Sequence, residues 1–279
     1  MLKRLFIISR PVLWVNTIGT SVMGMWLAGF IWDWRMLPIL IWVTFPFNLL
    51  IYGINDIFDQ ETDNINARKG GYEGAHISPK EVKPIWIAVI ATNVPFLIYF
   101  AITLPLAAVL WMLAYSLFFL FYSAPPLRFK ARKYLDAFSN TDYAFPLAFV
   151  PLALGVEPVW WAVIGLMAWS IAKHAYDAIQ DIPQDSDTGI ITTAVHLGAK
   201  KTAVWSGIWW SVSTICFAIV NIPVAIANAV LAFLLVWGVY KTPTPEKAHS
   251  LYKYSIAFPY VAGTVAGVQL VFAISMGWY

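Results

Sequence analysis

Met36–Asp63 reads MLPILIWVTFPFNLLIYGINDIFDQETD. From Met36 to Asn55 it carries no charged side chain, and then Asp56, Asp59, Glu61 and Asp63 follow within eight residues. A helix that crosses a bilayer needs about 20 mostly apolar residues. The stretch therefore reads as a membrane span that ends in a cluster of acids. Every other part of the chain is to be judged against that pattern.

The remainder repeats it. Of the 279 residues 60% are hydrophobic, 16% aromatic and 12% charged, with a mean hydropathy of +0.68. A soluble domain carries roughly 25% charged residues, so this chain cannot coat a water-soluble globule. The same apolar content excludes disorder, and a lone Cys216 excludes a disulfide framework. The apolar stretch Leu5–Ile8 is broken by Ser9-Arg10-Pro11, which is not the pattern of a cleaved leader. Nine spans are expected: Pro11–Ile31, Met36–Asp56, Pro84–Thr103, Pro105–Ala124, Asp136–Gly155, Pro158–Ile179, Thr202–Val220, Pro223–Val239 and Tyr254–Met276. Prolines open several of them, where the missing N–H costs little. The expected fold is all-α, one polytopic membrane domain over residues 1–279 with nine transmembrane helices.

Nine spans place the connections alternately on two sides. Of the 18 Lys and Arg, only Arg35 lies on the second side and only Lys173 inside a span; the rest fall on the side of the N-terminus. Cytoplasmic loops carry the excess of basic residues, so the expected orientation has the N-terminus in the cytoplasm and the C-terminus outside. Trp32, Trp34, Trp160, Trp161 and Trp278 fall at the opposite ends, as an interfacial aromatic belt does. The lipid bilayer is the expected partner. A net charge of +3 gives no reason to expect nucleic acid.

The long polar loops lie on the cytoplasmic side, and so do two acidic groups. The first is Asn55-Asp56 through Asp63; the second runs from Asp177 through Asp181 and Asp185 to Asp187. Together they hold eight of the fifteen acidic residues. On a helix Asp56/Asp59, Asp59/Asp63 and Asp177/Asp181 share faces. Carboxylates so close repel unless a cation lies between them. Oxygen ligands without nearby His or Cys favour Mg²⁺ or Ca²⁺ over zinc, and Mg²⁺, from which the sequence does not separate Mn²⁺, is typically held by one or two carboxylates plus substrate phosphate oxygens. Solvated helix ends would also be acidic, but two similar clusters at two span ends favour a diphosphate–Mg²⁺ cradle. Asp59 and Asp181 lead as ligands, followed by Asp56 and Asp177, then Asp63 and Asp185.

A diphosphate also needs cationic donors. Tyr122-Ser123-Ala124-Pro125-Pro126-Leu127-Arg128-Phe129-Lys130 supplies Arg128 and Lys130, and Arg68-Lys69 follow the first cluster. Arg grips phosphate oxygens bidentately and Lys adds a point charge; anionic-lipid binding is the other use for such residues. Asn16, inside the first span, fits an interhelical hydrogen bond. Lys173 reads as an ion-pair partner of Asp177 or Asp142, or with His174 as part of a late proton transfer. Asp142, an intramembrane acid, is a candidate base.

These residues resemble a known family. Asn55-Asp56-x-x-Asp59-x-x-x-Asp63 and Asp177-x-x-x-Asp181-x-x-x-Asp185 are similar to the paired aspartate-rich motifs of the UbiA superfamily of intramembrane prenyltransferases. The likeness extends to Arg10-Pro11 with Asn16 and to Tyr122-Ser123…Pro126…Arg128…Lys130, over nearly the whole chain. Ser9-Arg10-Pro11-x-x-Trp14-Val15-Asn16-Thr17, Tyr52-Gly53-Ile54-Asn55-Asp56 and Arg68-Lys69-Gly70-Gly71-x-Glu73-Gly74-Ala75 resemble its lycopene-elongase branch in particular.

The resemblance implies a UbiA-like bundle with a cytoplasmic-side cap over the active site, in a prokaryotic plasma membrane. It implies Mg²⁺-dependent transfer of a C5 unit from dimethylallyl diphosphate to the terminal alkene of lycopene, through an allylic cation, with loss of a proton or uptake of water. On this reading Asp59, Asp181, Arg128 and Lys130 are catalytic. Asn16, Asn55, Arg68, Lys69, Tyr122, Arg128 and Lys130 bind diphosphate, and Phe58, Tyr115, Tyr143 and Tyr176 are the aromatic candidates near the cation. An aromatic acceptor, a quinone precursor or a tetrapyrrole, is the alternative within the fold. A cation-coupled transporter is the alternative outside it, and such proteins place their charges near the bilayer midplane.

Overall fold

The structure, a computed structural model, describes residues 1–59 and 76–278. The described residues form helices and no strands. In chain order they are α1 (Leu2–Ile8), α2 (Trp14–Leu27), α3 (Met36–Trp42), α4 (Phe45–Asn48), α5 (Ile54–Phe58), α6 (Pro79–Thr103), α7 (Leu106–Ser123), α8 (Leu135–Phe138), α9 (Phe145–Leu154), α10 (Trp160–Asp177), α11 (Ile182–Asp187), α12 (Thr193–Val220), α13 (Ile222–Lys241) and α14 (Pro245–Ser275). Short 3₁₀ turns precede α2, α8, α9 and α11, and one wide π turn, Leu49–Gly53, joins α4 to α5.

Among the described residues, six helical stretches are long and apolar enough to cross a membrane: Met36–Phe58, Pro79–Thr103, Leu106–Ser123, Thr193–Val220, Ile222–Lys241 and Pro245–Ser275. A seventh forms if Leu2–Ile8 and Pro11–Leu27, which meet at 44°, are taken as one broken span. The protein is a multi-pass membrane protein. Two of the nine expected spans do not meet that test. Asp136–Gly155 is divided into α8, the 3₁₀ turn Ser139–Ala144 and the ten-residue α9. Pro158–Ile179 becomes α10, which carries Lys173, His174 and Asp177. The first is too short in each of its pieces and the second too polar; every residue of α9 except Leu152 is buried, so protein rather than lipid surrounds it.

Sequence signals set the element ends. Ser78 and Glu81 form a capping box at the start of α6. Thr192, Asn221 and Thr244 cap α12, α13 and α14 by accepting hydrogen bonds from Val195, Val224 and Lys247 N–H. Gly198, at φ 73, interrupts α12.

Two aromatic cores hold the bundle. Trp42, Phe47, Phe100, Phe145 and Phe149 pack as one cluster, with Trp42 Nε1 donating to Asn93 Oδ1 at 3.0 Å. Tyr176, Trp210 and Phe258 centre the other. Small residues let backbones close in: a Cβ on Gly24 would lie 2.7 Å from Pro146 O, and one on Gly165 would lie 2.7 Å from Phe217. At one end of the bundle Arg35 grips Asp33 at 2.6 and 2.9 Å and donates to Leu154 O at 3.1 Å. The guanidinium holds the Asp33 carboxyl below the usual carboxylate range. Asp56 and Asp59, at the end of α5, and Asp177, the last residue of α10, lie at the other end.

Candidate active site

Three non-glycine residues adopt positive φ, and all three border this end: Arg10 (φ 50), Arg128 (φ 41) and Tyr134 (φ 67). Such backbone costs of order 1–3 kcal/mol and persists where the surroundings over-determine it. Arg10 ends α1 and turns the chain through Pro11–Leu13 into α2. That bend brings its Nη2 to 2.6 Å from Asp56 Oδ1 and its guanidinium to 4.5 Å from the centre of the Tyr52 ring. Arg128 opens the 3₁₀ turn Phe129–Ala131, from which Lys130 reaches Asp59 in an ion pair. Tyr134 N donates to Thr193 Oγ1 at 2.8 Å, and the Thr193 hydroxyl and N–H in turn bind both oxygens of buried Asp136 at 2.5 and 2.9 Å. Side chains far apart in sequence therefore close this end of the bundle.

The π turn comes just before the first motif. Wide turns of this kind re-aim the residues after them and recur at functional sites. Here Asp56 faces Arg10, while Asn55 Nδ2 donates to Ser123 Oγ at 3.1 Å. Asn55 also lines a cavity of about 220 Å³ with Arg10, Asn16, Tyr52, Tyr122, Asn140 and Asp142. Phe47, Ile51, Phe119, Tyr143 and Phe145 complete its wall. The cavity thus joins hydrogen-bond donors to an aromatic lining, which is the make-up of a site for a molecule with a polar head and an apolar body.

The second motif is arranged differently. Asp177, the last residue of α10, accepts from Lys173 Nζ at 2.5 Å and from Ser255 Oγ of α14 at 2.5 Å, while Lys173 also donates to Ser255 Oγ at 3.0 Å. Lys173 therefore pairs with Asp177 rather than with Asp142. Asp181 lies in a surface cleft of about 310 Å³ with Gln180, Pro183, Gln184, Glu246 and His249. Asp185 Oδ2 accepts from Thr192 Oγ1 at 3.3 Å.

Of the residues singled out in the sequence, the cavity unites Asn16, Asn55 and Tyr122, and Lys130 joins Asp59. Asp63, Arg68 and Lys69 lie outside the described residues. Among the described residues no three carboxylates, histidines or cysteines converge on one point. Asp56, Asp59 and Asp177 each engage a cationic side chain instead, since clustered carboxylates take up whatever positive charge is within reach. Of the aromatic candidates, Tyr143 lines the cavity. Phe58 packs against Trp86, Tyr115 packs against Trp111, and the Tyr176 hydroxyl donates to Leu235 O. Sequence reasoning did not assign Arg10 a contact of its own and missed Asn140, Ser123 and Ser255. The Asn140–Asp142 pair within an otherwise apolar run was the signal available for Asn140; a serine such as Ser255 offers none.

The donor chemistry fits a diphosphate held with a hard metal ion. Arg10 Nε and Arg128 Nε are buried without a hydrogen-bond partner among the described residues. An unsatisfied buried N–H is costly, and a phosphate oxygen is the acceptor a guanidinium matches best. The flanking aspartates supply only oxygen ligands, as Mg²⁺ requires.

The family model for the UbiA prenyltransferase family matches residues 17–259. The chain is 34% identical over 238 residues to the C(50) beta-cyclic carotenoids biosynthesis protein LbtBC of Dietzia sp. (strain CQ4), covering 84% of this chain and 55% of that longer relative. It is 33% identical to the lycopene elongase/hydratase of Haloarcula japonica over 78% of this chain and 74% of the relative. Against the lycopene elongase/hydratase of Corynebacterium glutamicum it is 28% identical over 97% of both. Among solved structures, a UbiA homolog from Archaeoglobus fulgidus bound to DMAPP and Mg²⁺ superposes with a TM-score of 0.68 at 17% identity, covering 95% of this chain and 99% of that one. Digeranylgeranylglyceryl phosphate synthase gives a TM-score of 0.71 at 19% identity over 98% and 99%.

Proposed function

This chain belongs to the UbiA prenyltransferase family, and on that premise we propose that it transfers a C5 prenyl group from dimethylallyl diphosphate to the terminal alkene of a C40 carotenoid, lycopene or a close relative. The observation that carries the proposal is the cavity of about 220 Å³, in which Arg10, Asn16, Asn55 and Tyr122 share a wall with Phe47, Phe119 and Phe145. That volume suits a short allylic chain with part of its head group. A C40 polyene has to lie mostly outside it. On this reading a long acceptor lying in the bilayer presents one end at the cavity beside Tyr143, which forms part of its wall.

Arg10 and Arg128 offer N–H groups to the departing diphosphate, with Lys130 adding charge beside Asp59. Asn16, Asn55 and Tyr122 orient the donor by hydrogen bonds. The aromatic lining excludes water from the allylic cation and stabilises its charge by cation–π attraction. The chain's own contribution to metal binding comes from Asp56, Asp59, Asp177, Asp181 and Asp185, with Asp63 from outside the described residues. Bound there, Mg²⁺ supplies Lewis-acid stabilisation of the leaving diphosphate. The excess of Lys and Arg in the loops at this end supports a cytoplasmic face here, with the N-terminus inside and the C-terminus outside.

The test is a product assay on membranes holding the protein, with lycopene, dimethylallyl diphosphate and Mg²⁺. A carotenoid heavier by one or two C5 units, with or without water, is the expected result. No carotenoid product, together with prenylation of a supplied quinol precursor or tetrapyrrole, would transfer the same chemistry to an aromatic acceptor and overturn the carotenoid assignment.

A further inference from the structure

We propose that Asp142 is the base that ends the reaction, taking the proton that the elongated carotenoid cation must lose; this rests on the carotenoid reading above. Among the described residues, Asp142 is the one carboxylate that lines the cavity. The acids around it have other partners: Asp56 has Arg10, Asp59 has Lys130, Asp177 has Lys173 and Ser255, and Asp136 has Thr193. Asp142, in contrast, takes a backbone hydrogen bond from Tyr143 N–H, and its Oδ1 is buried with no hydrogen-bond partner among the described residues. A buried carboxylate oxygen left without a donor is costly to maintain, and a site retains that cost where a ligand or a transferred proton satisfies it. Asn140 and Tyr143, on either side of it in sequence, line the same cavity, so the 3₁₀ turn Ser139–Ala144 places three of its residues in the cavity wall with this carboxylate among them.

The electron bookkeeping requires one base. The C–O bond of the donor breaks and the diphosphate leaves with the electron pair. The terminal π pair of the acceptor forms the new C–C bond and leaves a tertiary cation. A neighbouring C–H pair then becomes a C=C bond, and its proton passes to the Asp142 carboxylate. If water adds to the cation instead, the proton lost from that water's oxygen passes to the same carboxylate. Exchange with solvent through the cavity restores the base in either case. Without the base, addition reverses and the allylic cation is captured by water, so that diphosphate release is uncoupled from C–C bond formation.

The test counts diphosphate released per carotenoid elongated, with the full chain in lipid vesicles supplied with lycopene, dimethylallyl diphosphate and Mg²⁺. The ratio is expected to be near one for the wild type. Asp142→Asn, which keeps shape and removes the base, should raise it at least tenfold, while donor binding measured by calorimetry stays within about twofold; general-base removal costs roughly 10²- to 10⁴-fold in the step it serves. Asp142→Glu should return the ratio towards one. A ratio unchanged in Asp142→Asn, whether turnover stands or falls as a whole, overturns the assignment, because a structural role lowers both reactions together. If that variant does not fold, Asp142→Ser leaves room for a small carboxylate. Added formate should then lower its ratio, and no effect of formate overturns the proposal. A wild type that elongates no carotenoid overturns the carotenoid reading itself and this assignment with it.

Discussion

Arg10 Nη2 lies 2.6 Å from Asp56 Oδ1, joining residues 46 apart in the chain, and the Asp56 side chain is fully buried. The guanidinium is held on one side by this carboxylate and on another by the Tyr52 ring, and its Nε has no partner among the described residues. A pre-oriented fork with a free donor is what a phosphate oxygen needs. Several consequences of this geometry, and of the packing around it, can be measured.

Arg10→Lys keeps the charge and loses the fork. Its affinity for dimethylallyl diphosphate should fall by about 10- to 100-fold, the range of a lost charge-assisted hydrogen bond, with the protein still folded. Arg10→Ala should in addition lower stability by about 3–5 kcal/mol, because it leaves Asp56 charged and buried without its partner. Calorimetric titration and thermal unfolding in detergent separate the two effects. Equal donor affinity for Arg10→Lys and the wild type would remove Arg10 from the diphosphate site.

Asp59→Ala and Asp181→Ala should each lower turnover by at least about 10²-fold, the scale on which an electrostatic group at a reacting centre acts, while the protein still inserts and remains monodisperse. Chelation of divalent metal should abolish wild-type turnover, and Mg²⁺ should restore it. Donor and Mg²⁺ together should raise the unfolding temperature more than either alone, since each ligand stabilises the folded state by mass action. Near-normal turnover in both variants would sink the metal assignment.

Thr193→Val removes the hydroxyl that donates to Asp136 Oδ1 at 2.5 Å and keeps the backbone N–H that binds Oδ2. The variant should lose about 1–3 kcal/mol of stability, the cost of a buried acceptor left short. Donor affinity of the folded fraction should stay close to the wild-type value. Unchanged thermal stability would show that the Tyr134–Thr193–Asp136 contacts hold nothing.

Glycine substitutions should sort by what a methyl group meets. Gly24→Ala puts a Cβ 2.7 Å from the backbone oxygen of Pro146, which cannot swing away, and should cost roughly 1–3 kcal/mol. Gly165→Ala meets the edge of the Phe217 ring at 2.7 Å and should cost less if that ring rotates. Gly19→Ala meets nothing within 4 Å and should be neutral or stabilising. Unfolding temperatures give the order directly, and Gly24→Ala as stable as Gly19→Ala would contradict the packing of α2 on α9.

Much of the candidate site was legible along the chain. Asn16, Asn55 and Tyr122 stood out as polar groups in or beside apolar runs, and they line one cavity. The Asp56 and Asp177 motifs stood out by spacing. What was not legible was how two of the expected spans are built. Length and hydropathy register a helix facing lipid, whereas α9 and α10 face protein, so a broken segment and a polar one stay inside the bundle. Arg10 offered a sequence signal only through its family resemblance, because a left-handed residue cannot be recognised from an arginine's intrinsic preference.

The sequence by itself determined the class of molecule, an all-helical membrane protein, since apolar run length and charge placement act locally along the chain and need no knowledge of neighbours. It also determined the chemistry on offer, namely aspartates, arginines and lysines at span ends. Only the tertiary structure decided which of these meet. Arg10 with Asp56, Lys130 with Asp59 and Ser255 with Asp177 are separated by 46, 71 and 78 residues. The path that closes those distances runs through left-handed backbone at Arg10 and Arg128 and a π turn before Asn55, which exist because the packed bundle over-determines them.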